Sequence, residues 1–142
     1  MLIALPLLAI PVVLYNLVVL FGAVNGGLAA ADETLHQAMF SIPMTSGASW
    51  NVSVGDLILF LSLILLFFEL LKSTSSQKVA IVNHALSMVV FVVCLVEFLL
   101  NAAFATSVFF IIMIMSLLDV LAGVVVTIVS ARRDVEFDHG AR

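Results

Sequence analysis

Four long apolar stretches occupy most of this 142-residue chain, and short polar segments separate them. They cover about residues 2–23, 54–71, 79–102 and 107–131, and each approaches the twenty or so residues that a helix needs to cross the hydrocarbon core of a bilayer. The links between the last three are so short that neighbouring helices must run antiparallel. The pattern predicts an all-α integral membrane protein, a single domain over residues 1–142 folded as an antiparallel bundle of four transmembrane helices.

The first stretch has a second interpretation as a secretory signal peptide, because small residues at positions 28–31 resemble a cleavage site. It lacks the basic start of a signal peptide, and its apolar run is longer than the usual signal core. We therefore favour a retained helix, which Pro11 is expected to kink.

Two polar segments carry the spacing of a helix-capping box. Ser53 and Asp56 precede the second span, with Asp in place of the usual Glu or Gln. Thr74 and Gln77 repeat the spacing before the third span. These pairs predict where the two helices begin.

The basic residues indicate the orientation. In the predicted topology all of them fall on one side: Lys72, Lys78, Arg132, Arg133 and Arg142. Cytoplasmic loops carry the excess of Lys and Arg, so both termini are predicted to be cytoplasmic, and the loop at 24–53 to lie outside. The charged tail at 132–142 is expected to fray or to dock on a partner. A compact chain without sorting signals favours the inner (cytoplasmic) membrane of a bacterium.

The outer loop contains a pattern of its own. Leu35, Met39 and Ile42 recur at helical spacing, which predicts a short amphipathic helix lying in the membrane interface. Phe40 and Trp50 would suit headgroup depth. An irregular loop packed over the mouth of the bundle is the alternative.

Composition supports the membrane class. The chain is 64% hydrophobic and 10% charged, with a mean hydropathy of +1.32, which is too apolar for a soluble domain that must cover its own surface. Lipid is the expected surrounding, and nucleic acid is not an expected partner. The single cysteine, Cys94, excludes an internal disulfide and a cysteine metal site, and no cofactor or metal motif is present.

Two acids lie where lipid is expected, Glu97 in the third span and Asp119 near the middle of the fourth. An acid at the bilayer centre costs roughly 2.5–3.5 kcal/mol on insertion scales, so both should face protein, water or a partner. Burial favours the neutral form of Asp119, which can then donate a hydrogen bond. A rise of 1.5 Å per residue separates the two acids by roughly 12 Å along the membrane normal, so Asp119 is expected to be a solitary interior group.

Further polar residues share helix faces. At 100° per residue, one narrow arc of the third span contains Asn83, Ser87, Cys94, Glu97 and Asn101. Ser116 lies on the same face of the fourth span as Asp119, and the two faces are predicted to pack together.

Two candidates lie near the cytoplasmic boundary. Glu69, three residues before Lys72, predicts an interfacial ion pair worth a few tenths of a kcal/mol. His84 lies at a comparable level and is expected to be a hydrogen-bonded packing residue, although its ring could titrate near neutral pH.

Three classes of function follow. The favoured one is a non-enzymatic accessory, scaffold or assembly subunit that associates through its polar faces, as a homo-oligomer or within a larger membrane complex. The second is a small transporter or channel for protons or cations, centred on Asp119 and Glu97. The third is a membrane enzyme acting on a lipid or quinone, for which no catalytic constellation can be assigned.

Overall fold

A computed structural model describes residues 5–26, 28–72 and 77–140, without the side chains of 23, 25, 26, 28–31, 77–80 and 130–140. Its elements, in chain order, are α1 (Ala9–Gly26), α2 (Leu28–His36), β1 (Ala38–Pro43), β2 (Ser49–Ser53), α3 (Val54–Lys72), α4 (Gln77–Leu100), a 3₁₀ turn (Ala102–Phe104) and α5 (Ser107–Gly140).

The described chain is mostly helical, and three of its helical segments are long and apolar enough to cross a membrane. These segments are Val54–Lys72, Ile81–Leu100 and Ser107–Val129. A shorter apolar segment, Ala9–Gly22, lies in the first predicted span. The prediction of a mostly helical chain with several segments able to cross a membrane is confirmed at this level.

Helix α1 begins later than the first apolar stretch. Residues 2–4 of that stretch lie outside the described residues, and a turn closed by Ala9 N donating to Pro6 O (3.1 Å) precedes the helix. Pro11 therefore lies in the first turn of α1, where no intrahelical bond requires its missing N–H. We expected Pro11 to kink a longer helix, but a proline in the first turn breaks no backbone hydrogen bond and gives no reason for a kink.

Helix α3 begins where its capping box predicts. The Ser53 backbone N–H donates to Asp56 Oδ2 (2.9 Å), and the Asp56 N–H donates to Ser53 Oγ (3.2 Å). The two residues thereby satisfy donors that a helix start leaves free. The second predicted box includes Thr74, which lies outside the described residues.

The outer loop is a helix followed by a β-hairpin, so the prediction of an all-α chain is wrong here. Met39 and Ile42 belong to β1, which pairs antiparallel with β2 and is exposed along its whole length. Gly47, at a φ of +85°, makes the turn between the strands, a conformation that favours glycine. The spacing of Leu35, Met39 and Ile42 does not reflect one helix. Helix α2 ends at His36, so only Leu35 belongs to it, and that side chain is buried.

The C-terminal tail continues the last span as helix. Helix α5 runs for 34 residues to Gly140, and residues 141–142 lie outside the described residues; that the tail at 132–142 frays or docks on a partner stays a prediction. The sequence from 124 to 139 contains no Gly or Pro, so nothing in it interrupts the backbone hydrogen bonds.

Contacts between residue pairs define the helix directions. Phe98 of α4 packs on Phe110 of α5 with ring centroids 5.5 Å apart, where α4 ends and α5 begins, so the two helices run antiparallel. Gly55, at the start of α3, lies against Val108, at the start of α5, so these two run in parallel. We call the end of the structure that carries Lys72 the basic end, and the opposite end the hairpin end.

Tyr15 organises the core at the hairpin end. Its fully buried ring lies 4.7 Å from that of Phe109 and 5.4 Å from that of Phe104, measured between centroids. Its hydroxyl lies 2.5 Å from Thr106 Oγ1 and donates to Ala103 O at 3.3 Å. The side chain thus ties α1 to the turn between α4 and α5.

Replacing Tyr15 by Phe removes these hydrogen bonds and keeps the ring. We expect the free energy of unfolding to fall by about 1 kcal/mol, the usual net value of a buried hydrogen bond. The measurement is unfolding in mixed detergent–SDS micelles followed by circular dichroism. Thr106→Val removes the bond between the two hydroxyls from the other side. The double variant should therefore lose less free energy of unfolding than the sum of the two single losses. Additive losses would show that the two side chains are not coupled.

Candidate functional site

Glu69 is the meeting point of three segments at the basic end. Its side chain is fully buried, and its Oε2 accepts a hydrogen bond from the Leu7 backbone N–H at 2.7 Å. Its Oε1 accepts from Asn83 Nδ2 of α4 and lies 3.2 Å from Lys72 Nζ. Lys72 Nζ also donates to Leu5 O at 2.6 Å.

The predicted pair between Glu69 and Lys72 is present, and Glu69 has further partners outside α3. The lysine side chain is 16% exposed and the glutamate 0%, so the carboxylate is held inside the protein rather than in headgroup water. Spacing along one helix could not reveal its other partners, because Leu7 is 62 residues away in the chain and Asn83 is 14.

The next turn of α4 faces the acid of α5. Ser87 is buried, and its hydroxyl donates to Asn83 O at 3.1 Å. The carboxyl of Asp119, also buried, interacts with the Ser87 hydroxyl and lies in the electrostatic field of Glu69 and His84. The structure therefore places Asp119 beside polar groups of α4, as the predicted packing of the two polar faces requires.

His84 packs directly on the backbone of α5. A Cβ built on Gly123 would overlap the His84 imidazole ring, so only a glycine leaves room for the ring in this position. Gly123 lies one helical turn after Asp119, on the same side of α5. The small residue thus brings His84 close to the acid, while His84 Nε2 is buried without a hydrogen-bonding partner.

Three buried side-chain atoms lack a hydrogen-bonding partner within the described part of the chain: Asn83 Oδ1, His84 Nε2 and Asp119 Oδ2. Two of these residues are adjacent on α4, and the third lies on the facing helix one turn from the glycine that His84 contacts. An unpartnered buried polar atom costs about 1–3 kcal/mol. Because buried polar groups normally have partners, three such atoms in one region call for a physical explanation, such as strain, a bound water or ion, or a functional role.

A second polar level lies nearer the hairpin end. Cys94 of α4 and Ser116 of α5 are both buried, and the thiol interacts with the serine hydroxyl. Glu97, one turn after Cys94, accepts a hydrogen bond from Asn16 Nδ2 of α1 at 3.3 Å. Since Ser116 lies one turn before Asp119, this level continues the first one along the α4–α5 interface.

We call the resulting series of inward polar side chains the polar file. In order from the basic end, it consists of Glu69, Asn83, Ser87, Asp119, Ser116, Cys94 and Glu97.

Asn101 is not part of this file. Helix α4 ends at Leu100, and Asn101 is exposed, with its Oδ1 accepting from the Ala103 backbone N–H at 3.1 Å to cap the 3₁₀ turn. The helical wheel placed it on the polar face only because it assumed that the helix continued. Glu97 accepts its hydrogen bond from Asn16, and the signal for this partner in the sequence is that Tyr15 and Asn16 interrupt an otherwise apolar stretch.

The contact between His84 and Gly123 can be tested by substitution. Gly→Ala in a helix ordinarily stabilises by about 1 kcal/mol. Here we expect Gly123→Ala to destabilise by about 1–3 kcal/mol, because the methyl group must displace the imidazole. SDS unfolding measures the change. The double variant His84→Ala/Gly123→Ala should recover most of the loss, and a single variant as stable as the wild type would contradict the packing.

Comparison with known proteins adds no family to this description: no protein-family model, no curated protein and no solved structure matches the chain.

Proposed function

We propose that this chain is a small integral membrane protein that conducts protons through its interior along the polar file. The observation that carries the proposal is the group of buried, unpartnered polar atoms around Asp119. Inside a membrane protein, ionisable residues that face the interior mark proton and ion pathways.

The residues beside Asp119 can accommodate both of its protonation states. Ser87 lies between Asn83 O and the Asp119 carboxyl, and a hydroxyl can rotate to donate or to accept. It can accept from the protonated acid and donate to the carboxylate. Asp119 can therefore gain and lose a proton in this proposal while Ser87 rotates its hydroxyl and neither helix moves.

The charge distribution supports a neutral resting state for Asp119. The sequence contains no Lys or Arg between Lys78 and Arg132, so α4 and α5 supply no permanent cation at its depth. The Lys72 ammonium is already paired with Glu69. An ionised Asp119 is thus transient in this mechanism.

Water completes the path in this proposal. Asp119 and Glu97 are separated by roughly 12 Å along the helix axes, which is longer than any hydrogen bond. Ser116 and Cys94 lie between them and offer a hydroxyl and a thiol to bridging waters. A small cation at the same site is less favoured, because the unpartnered oxygens there, Asn83 Oδ1 and Asp119 Oδ2, are few for a dehydrated ion.

An accessory or assembly role remains a second proposal, but the polar faces give it less support. The central residues of the polar faces, Ser87, Ser116 and Asp119, are buried between helices of the same chain. They are therefore not accessible for contact with a partner protein. A homo-oligomer or larger complex would have to form through the apolar outer surface of the helices.

The proposed arrangement in the membrane has four spans, with α1 as the first, both termini in the cytoplasm and the inner membrane of a bacterium as the location. It is supported by the basic residues at one end of the structure and by the β-hairpin at the other.

Cysteine labelling in intact cells tests this orientation. In a Cys94→Ala background, we expect Ser46→Cys, in the exposed hairpin turn, to react with a membrane-impermeant maleimide. Ser75→Cys, in the link between α3 and α4, should react only after permeabilisation. The wild-type chain is the control, because its buried Cys94 should not react. The reverse pattern would contradict cytoplasmic termini.

Proton flux tests the function directly. Purified protein is reconstituted into liposomes that contain a pH-sensitive dye, and a potassium gradient with valinomycin drives protons inward. We expect wild-type flux above that of protein-free liposomes and Asp119→Asn flux reduced to their level. Asp32→Asn is the matched control, because this exposed acid of α2 lies outside the polar file and its removal should leave the flux unchanged.

Two further measurements keep the result interpretable. Circular dichroism and gel filtration verify that Asp119→Asn is folded, and Ser87→Ala, which retains the acid, should slow the flux without abolishing it. Wild-type flux equal to that of empty liposomes, or full flux in Asp119→Asn, would contradict the proposal. Flux that follows sodium rather than protons would assign the same site to a small cation.

A further inference from the structure

The β1–β2 hairpin exposes large apolar side chains on both of its faces. Two strands alone form no core, and β1 is exposed at every position. The exposed apolar side chains of the hairpin and its turn are Met39, Phe40, Ile42, Met44 and Trp50. Contiguous apolar surface of this kind marks a site of interaction with protein or lipid.

The composition of the hairpin matches an interface between lipid and water. Residues 38–53 contain no Asp, Glu, Lys, Arg or His, and their polar members are Ser, Thr and Asn. Hairpins whose edges face water are commonly protected by charged side chains, which are absent from this segment. Aromatic side chains beside small hydroxyl and amide groups are typical of the headgroup level of a bilayer.

The position of the hairpin follows from its attachment to α3. Strand β2 ends at Ser53 and α3, a candidate span, begins at the next residue, while the Val54 N–H donates to Gln37 O at 3.3 Å. No linker separates the strand from the helix, so the hairpin leaves the bundle at the level where the span begins. The exposed apolar surface of α3, which includes Leu57 and Phe60, continues toward it.

From this continuity we propose that the hairpin lies in the headgroup region of the membrane that α3 crosses, with its aromatic and methionine side chains in contact with lipid. The occupant of the exposed surface is therefore the bilayer itself. A second copy paired along a strand edge, or plain exposure to water, is an alternative outcome of the test. The inference is independent of proton conduction.

Trp50 is the only tryptophan in the chain, so its fluorescence reports on the hairpin alone. We reconstitute the full-length wild-type protein into phosphatidylcholine liposomes whose acyl chains carry bromine at either a shallow or a deep position. Acrylamide in the buffer measures exposure to water. We expect blue-shifted emission, stronger quenching by shallow than by deep bromines, and weak quenching by acrylamide.

A matched control moves the probe along α3. In Trp50→Phe/Phe60→Trp the tryptophan replaces an exposed aromatic residue about 10 Å from the start of the span. This probe should reverse the order and be quenched more by deep bromines. Because both variants are measured with the same brominated lipids, a difference between them reports the depth of the tryptophan and not the efficiency of the quenchers.

The other outcomes overturn the proposal. Red-shifted emission from Trp50 with strong acrylamide quenching would place the hairpin in water. Protection from both acrylamide and brominated lipid would place it in a protein contact, and crosslinking through Ser46→Cys would then test for a second copy.

Discussion

The buried carboxylate of Glu69 is the constraint on which the rest of the structure depends. A charge removed from water costs several kcal/mol unless it is paired and hydrogen-bonded, so its partners from different segments must all be present together. They position the start of α1 through Leu7 and the rotation of α4 through Asn83. Once α4 is fixed in this rotation, Ser87 and Cys94 must face α5, and the inward direction of the polar file follows.

The parts of the fold that depend on neighbours in sequence were predictable. The apolar stretches mark the candidate spans, and the reciprocal bonds of Ser53 and Asp56 require residues only three apart. The hairpin was missed because Met39 and its apolar neighbours happen to recur at helical spacing. Gly47, which makes the turn between the strands, was the residue that favoured a hairpin. The helical tail was missed because charge alone does not end a helix when no Gly or Pro follows.

The candidate site was predictable in its members but not in its connections. Helical periodicity predicted that Asn83 and Asp119 face inward, and both are buried. This prediction needed only the sequence of each helix, because polar residues within an apolar helix gather on its buried face. Periodicity could not find the bond between Glu69 and Leu7, which joins residues far apart in sequence. It also assigned Asn101 to the polar face, because a helical wheel contains no information about where a helix ends. Long-range pairing and helix termini were thus the missing physical information.

The length of α5 connects the polar file to the C-terminal end of the described chain through one uninterrupted helix. Its 34 residues span roughly 51 Å, which exceeds the roughly 30 Å of a typical hydrocarbon core by about two-fifths of the helix length. Asp119 and the segment after Val129 belong to one helix, so a movement of α5 as a unit would change the position of Asp119 relative to Ser87 of α4.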